Sequence, residues 1–136
     1  MVTRIDHVAV IVKDLDAAIK SYSDMFGFKV VETMDGPGGE FKSVTIDNGD
    51  MRLEFFQPLK PGGFQKFLDE RGGGLHHISF ATNDIEGELK NLKAQGRRLQ
   101  SEEPMILPNG DKVAFIHPSA AENVLIELVQ RASGHE

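Results

Sequence analysis

Two stretches of the chain repeat one pattern of apolar and polar positions. Residues 5–14 align with residues 75–84 at an offset of 70, which places His7 on His77 and Asp14 on Asp84. Lys20 and Lys90 share this offset. After each apolar strand, hydrophobic residues recur at the spacing of an amphipathic helix. These residues are Leu15, Ala18, Ile19, Tyr22 and Phe26 in the first copy, and Ile85, Leu89 and Leu92 in the second. The pattern predicts two copies of one supersecondary unit.

The ends of both helices carry capping signals. Asp14 and Asp84 precede the helical pattern, where a carboxylate can accept hydrogen bonds from the unpaired N–H groups of the first turn. Gly27 and Gly96 follow it, where glycine adopts the left-handed conformation that ends a helix.

The second part of each copy is rich in β-forming residues. In the first copy, residues 41–48 and 51–57 flank the Asn48-Gly49 turn, which predicts a hairpin. In the second, residues 105–107, 112–117 and 123–130 surround the Asn109-Gly110 turn. Each copy is therefore interpreted as a βαβββ module.

The length of 136 residues fits a single domain. We expect module one at about 4–58, a linker with a short helix at 59–73, module two at about 74–130, and a tail at 131–136. The linker helix is either a simple connection or part of an element that covers the substrate.

Composition narrows the class of protein. The chain has a net charge of −6 and no dense cluster of basic residues, so a nucleic-acid surface is not expected. The absence of cysteine excludes disulfides and thiolate chemistry. No apolar run reaches membrane-spanning length and no signal peptide is recognisable, so we expect no membrane partner and a cytoplasmic location.

Each module places a histidine on its first strand and a glutamate on its last. Glu54 and Glu127 are 73 residues apart, close to the offset between His7 and His77. Glu127 lies within a continuous apolar strand, and a buried carboxylate must be paired, protonated or bound to metal. If both modules face one centre, these four residues are candidate ligands of one divalent ion, such as Co, Ni, Mn, Zn or Fe(II).

Simpler explanations exist for each residue alone. A single histidine on a strand is more often a core or surface residue than a ligand, and Arg52 could pair with Glu54 on the same strand face. His76 precedes His77 on the same strand, so its side chain projects from the opposite face. This position favours packing or a supporting contact. His117 precedes Pro118 at a strand end, where a loop role is expected. The repetition of two residue types in register favours the metal site.

With this pattern the chain resembles the vicinal oxygen chelate superfamily, which includes glyoxalases, extradiol dioxygenases and bleomycin-resistance proteins. Within it, the chain is most similar to the methylmalonyl-CoA epimerase family. The matching segments are residues 5–10, 67–72, 74–80, 102–104, 112–118 and 124–128. The resemblance implies an α+β fold, with two tandem βαβββ modules forming a curved, mostly antiparallel eight-stranded sheet around a central metal site.

The resemblance also implies the chemistry. His7, Glu54, His77 and Glu127 would bind one divalent metal ion, and some epimerases have Gln at the position of Glu54. The reaction would be a 1,1-proton transfer at the carbon alpha to a thioester, through a metal-stabilised enolate. Glu127 is then a candidate catalytic base, the substrate an acyl-CoA, and the assembly a homodimer.

Two positions depart from the epimerase pattern. Ser43 stands where many bacterial epimerases carry a second catalytic glutamate, and Glu40 lies three residues before it. The loop at 106–112 also differs from the family's Gly-Ala-His-Gly-Lys loop, which leaves the substrate open. The alternatives are a glyoxalase-like lyase or isomerase that acts on a thiol adduct, and a metal-free protein that binds a small molecule.

Overall fold

The computed structural model describes residues 1–132. The first module contains the strands β1 (Val2–Ile11), β2 (Lys29–Asp35), β3 (Phe41–Asp47) and β4 (Arg52–Pro58), with helix α1 (Leu15–Phe26) after β1. Helix α2 (Gly63–Arg71) follows. The second module contains β5 (Gly74–Thr82), β6 (Met105–Ile106), β7 (Lys112–Ile116) and β8 (Ile126–Gln130), with helix α3 (Ile85–Ala94) after β5. The predicted α+β class, the two βαβββ modules and their eight strands are confirmed.

The chain packs into two compact units. One unit spans His7–His76 and is called the His7 unit here. The other combines Met1–Asp6 with residues 77–132 and is called the His77 unit. The predicted module two therefore packs with the start of β1. In that start, the Thr3 hydroxyl donates to the carbonyl of Ala81, and the Thr82 hydroxyl donates to the carbonyl of Met1. The last four residues of the predicted tail, 133–136, lie outside the described part of the chain.

The strands of each unit form a mixed sheet, which contains both parallel and antiparallel pairings. In the His7 unit the order is β2-β3-β4-β1, and in the His77 unit it is β6-β7-β8-β5. Two ladders in each unit are antiparallel, whereas β1 pairs with β4, and β5 with β8, in parallel. The parallel pairs arise because a helix connects the first strand of each module to the remaining three.

The predicted helix caps are present. Asp14 accepts a hydrogen bond from the backbone N–H of Ala17, and Asp84 accepts one from that of Gly87. Gly27 closes α1 with a φ of 74°, and Gly96 has a φ of 73° just after α3. A side chain at either position would be strained in this left-handed backbone conformation.

A second cap repeats in both units and was not predicted. The N–H of Leu15 donates to Gln57 Oε1, and the N–H of Ile85 donates to Gln130 Oε1, both at 2.9 Å. Gln57 and Gln130 are 73 residues apart, the same offset that separates Glu54 from Glu127. The last strand of each module therefore holds the start of its helix, three residues beyond the glutamate.

The alternation of side chains gives each sheet two different faces. In the His7 unit one face packs on α1 through a core that includes Leu15, Val44, Ile46 and Phe55. In the His77 unit the matching face packs on α3 through Ile85, Leu89, Ala114 and Leu128. The opposite face of each sheet carries the histidine and glutamate and is called the histidine face here.

Helix α2 packs on the histidine face of the His7 unit. Phe64, Phe67 and Leu68 of this helix cover the buried side chains Ala9, Ile11 and Phe56. Gly73, with a φ of 100°, leads the chain from α2 towards β5. A Cβ atom there would lie 2.7 Å from the carbonyl oxygen of Ile11, so the close approach of the two backbones requires glycine.

Among the described residues, no helix is long and apolar enough to cross a membrane.

Candidate functional site

His7 and Glu54 are neighbours on the histidine face of the His7 unit. Both side chains are buried, with exposed fractions of 4% for His7 and 7% for Glu54. His7 Nε2 lies 3.1 Å from Glu54 Oε1. The parallel register of β1 and β4 produces this contact, because it pairs Ala9 with Glu54 and leaves His7 two positions earlier on the same face.

His77 and Glu127 form the equivalent pair in the His77 unit. Their exposed fractions are 3% and 7%, and His77 Nε2 lies 3.8 Å from Glu127 Oε2. The register of β5 and β8 pairs Ser79 with Glu127, just as β1 and β4 pair Ala9 with Glu54. The sequence repeat is thus reproduced residue by residue in the hydrogen-bonded registers.

The neighbours of the two carboxylates differ. Ser79 is fully buried, and its hydroxyl donates to Glu127 Oε1 at 2.8 Å. This bond holds one carboxylate oxygen, while the other is oriented towards His77. Phe115 pairs with Glu127 across β7 and β8, and its ring contacts the His77 ring edge-to-face at 5.3 Å. In the His7 unit, Thr45 takes the place that Phe115 has beside the glutamate.

The donor atoms of each pair fit a divalent metal ion. Two donors held about 2.1 Å from one ion lie roughly 3.0–3.5 Å apart, depending on the coordination geometry. The separation of 3.1 Å in the His7 unit agrees with this range, and the separation of 3.8 Å in the His77 unit is close to it. Imidazole nitrogens and carboxylate oxygens are donors that Co, Ni, Mn, Zn and Fe(II) accept.

Arg52, the alternative partner considered for Glu54, lies beside a different carboxylate in the structure. Arg52 Nε lies 3.5 Å from Asp47 Oδ2, because the register of β3 and β4 places Asp47 directly opposite Arg52. Glu54 has Thr45 as its direct partner in that ladder. The buried carboxylate is therefore left beside His7 rather than beside an arginine.

The other histidines have structural surroundings. His76 packs edge-to-face against Phe64 and Phe67 of α2, and its burial, together with the charge of Arg71, lowers its pKa. His117 Nδ1 accepts a hydrogen bond from the N–H of Ser119 and caps a short 3-10 turn at residues 118–120. Packing of His76 and a loop role of His117 were both predicted.

Ser43 and Glu40 differ in their placement. Ser43 lies on the histidine face and is 1% exposed, in register with Phe56. Glu40 is exposed and precedes β3, and its carbonyl accepts hydrogen bonds from the N–H groups of Leu59 and Lys60.

Comparison with known proteins identifies a family. Residues 6–115 match the model of the glyoxalase/bleomycin resistance protein/dioxygenase superfamily. The ethylmalonyl-CoA/methylmalonyl-CoA epimerase of Cereibacter sphaeroides is 35% identical over 133 residues, which cover 96% of this chain and 99% of that protein. The human mitochondrial methylmalonyl-CoA epimerase is 33% identical over 129 residues, covering 93% of this chain and 73% of that protein.

A solved structure also resembles the whole chain. A methylmalonyl-CoA epimerase in complex with methylmalonyl-CoA and an ammonium ion superposes with a TM-score of 0.88 and 29% identity, covering 100% of this chain and 99% of the other. The shared fold therefore extends over both modules.

Proposed function

We propose that this chain, which belongs to the glyoxalase/bleomycin resistance protein/dioxygenase superfamily, is an epimerase of methylmalonyl-CoA or a related 2-substituted malonyl-CoA. The observation that carries the proposal is the similarity to methylmalonyl-CoA epimerases over nearly the full length of both chains. The retention of a buried His–Glu pair in each unit supports it, because a protein that only sequesters a small molecule has no need for two such pairs.

The four buried donors would hold one divalent ion. We assign His7, Glu54, His77 and Glu127 to it on the chemistry of the two pairs and on the symmetry of the repeat. Two imidazoles and two carboxylates suit Co, Ni, Mn or Zn, and an ion of charge +2 offsets the cost of burying two ionised carboxylates. When bound, such an ion supplies Lewis-acid stabilisation of negative charge on the oxygens of the thioester substrate.

We assign the movement of the substrate proton to Glu127. The Ser79 hydroxyl holds its Oε1, so the carboxylate has a fixed orientation in a buried setting. In the proposed step the C2–H bond breaks, the proton passes to a carboxylate, and the electron pair delocalises into the thioester carbonyl. Return of a proton to the opposite face of C2 completes the inversion.

Helix α2 supplies an apolar wall for the same face. Phe64 contacts Phe41 and Phe56 at ring-centroid distances of 5.2 and 5.0 Å. These rings cover the sheet two residues beyond Glu54 and keep water from that part of the face. An enolate is quenched by uncontrolled protonation, so a dry wall beside the reacting carbon favours a stereochemically controlled return of the proton.

Incubation with a single epimer of methylmalonyl-CoA tests the proposal. We expect the metal-loaded protein to convert either pure epimer to the equilibrium mixture, with kcat/KM of at least about 10⁴ M⁻¹ s⁻¹. Chiral separation of the CoA esters measures the conversion. The hemithioacetal of methylglyoxal and glutathione serves as the comparison substrate. Turnover of the hemithioacetal without conversion of methylmalonyl-CoA would refute the epimerase and favour a glyoxalase-like enzyme.

A further inference from the structure

Helix α2 differs from the other two helices in how its first turn is held. Both α1 and α3 begin with an aspartate cap, and each also receives a hydrogen bond from a glutamine on the last strand of its module. Helix α2 begins after Gly62, and within the described chain no side chain caps it. Its first turn is therefore held less firmly than those of α1 and α3.

Neither glycine at the start of α2 is required by the static structure. The φ of Gly62 is 162°, an extended conformation that any residue adopts, and Gly63 lies within the helix. A Cβ atom at either position would meet no described atom within 4 Å. Glycine loses more conformational freedom on folding than any other residue, so the pair weakens the closed arrangement. What these two glycines add is freedom of movement at this end of α2.

The chain is anchored on both sides of the helix. Before it, the N–H groups of Leu59 and Lys60 donate to the carbonyl of Glu40. After it, Gly73 lies so close to β1 that a Cβ atom would be 2.7 Å from the carbonyl oxygen of Ile11. Residues 61–63 alone separate the first anchor from the helix. The start of α2 can therefore move while Gly73 stays in place as the pivot.

The polar side chains of α2 are paired within the helix itself. The pairs are Gln65 with Asp69, Lys66 with Glu70, and Arg71 with the ring of Phe67. The helix packs on the sheet through the apolar side chains of Phe64, Phe67 and Leu68. Apolar contacts are not directional, so the helix can leave the sheet and return without unpairing these polar groups.

Phe64 joins the movable end of α2 to the sheet. It is the second residue of the helix, and its ring lies 5.2 Å from that of Phe41, 5.0 Å from that of Phe56 and 5.1 Å from that of His76. Phe56 follows Glu54 by two positions on β4, so these rings cover the sheet beside a proposed metal ligand. The position of Phe64 thus determines whether this part of the histidine face is covered.

We propose that α2 is a lid over the histidine face of the His7 unit, an inference that rests on the epimerase function proposed above. When Phe64 is lifted, the acyl group of a CoA thioester can reach this face. When Phe64 is seated, the acyl group is enclosed and water is kept from the enolate. Opening and closing of the lid then control substrate entry and product release.

Spin labels measure this movement directly. The chain has no cysteine, so a label can be attached at chosen sites. Lys66→Cys on α2 and Lys42→Cys on β3 form the reporter pair, and Lys20→Cys on α1 with Lys42→Cys forms the control pair; all three positions are exposed. We expect the reporter pair to show two distances, of which saturating methylmalonyl-CoA retains one. The control pair should show a single distance with and without the ligand.

Two sets of substitutions should shift the lid in opposite directions. Phe64→Leu removes the ring contacts and should raise the ratio of open to closed molecules about tenfold. Gly62→Ala combined with Gly63→Ala fits the closed backbone and should lower that ratio about fivefold. We expect kcat of the alanine variant to fall by a similar factor while its thermal midpoint rises. A helix that serves only as a structural connection would give the same rise in midpoint with unchanged kcat.

Two results would overturn the lid. One is a single reporter distance that neither Phe64→Leu nor methylmalonyl-CoA changes, and the other is unchanged kcat in the alanine variant. If the wild-type protein leaves methylmalonyl-CoA unconverted, the epimerase function fails instead. The reporter distances of the ligand-free protein and of Phe64→Leu then still decide whether α2 opens.

Discussion

Glu127→Gln is expected to lose epimerase activity by at least about 10³-fold, within the range that general acid–base catalysis contributes. The amide of Gln cannot accept the proton from C2 of the substrate, and it is a weaker metal ligand than a carboxylate. The side chain keeps its size, so the hydrogen bond with Ser79 and the packing against β5 and β7 should survive. Steady-state kinetics measures the loss of activity, metal analysis measures the weaker metal binding, and circular dichroism checks that the fold survives.

Glu54→Gln provides the matched control for this change. It is the same substitution at the equivalent position of the other module, and the resemblance implies that some epimerases have Gln there. We expect this variant to retain metal and to keep its activity within about tenfold, because it removes one charge without removing the proposed base. Equal losses in the two variants would contradict the separate role of Glu127.

Arg131→Met is expected to have the largest effect on stability, at about 3–5 kcal/mol. Arg131 Nη1 donates to Asp111 Oδ2 at 2.8 Å, while Nε and Nη2 donate to the carboxylate of Asp6. The side chains of both aspartates are fully buried, and that of Arg131 is 9% exposed. Removal of the guanidinium would leave two buried carboxylates without their shared cation.

Arg131 is protonated and positively charged in the folded protein. Burial alone would lower its pKa, but the hydrogen bonds and charges of Asp6 and Asp111 raise the pKa above its usual value. Asp111 additionally accepts from the backbone N–H of Ala132 and from the Asn109 amide, so the network also holds the turn before β7. The ion cluster therefore joins the first strand, that turn and the segment after β8 within the His77 unit.

Urea unfolding measures the cost of Arg131→Met. Lys20→Ala is the control, since Lys20 and Asp24 form an exposed ion pair on α1 that contributes at most a few tenths of a kcal/mol. A loss of less than about 1 kcal/mol in Arg131→Met would mean that the two aspartates are protonated or solvated in the native protein.

The features that the sequence predicts well are those that the repeat doubles. The histidines, the N-cap aspartates and the strand glutamates each occur twice in register, and the structure places all of them in equivalent positions. Gln57 and Gln130 repeat in the same way, but the sequence does not predict that they cap the helices. A glutamine side chain does not by itself indicate a particular hydrogen-bond partner. Their shared offset of 73 was the available signal.

Single features were less visible from the sequence. Arg131 fell in the predicted tail, and its partners Asp6 and Asp111 are distant along the chain, so only the fold reveals the cluster. Asp6 within the first strand, directly before an apolar run, was the available hint. The partner of Arg52 depends on strand register, which places Asp47 directly opposite it.

The central claim is that both modules contribute to one metal site, and metal stoichiometry tests it most directly. The protein should be purified without a metal-binding tag, loaded with Co, Ni, Mn or Zn, dialysed, and examined by elemental analysis beside His7→Ala and His77→Ala. We predict close to one ion per chain in the wild type and loss of that ion in either variant, because each removes one of four ligands. Two ions per chain, loss in only one variant, or no metal under any loading condition would contradict the shared site.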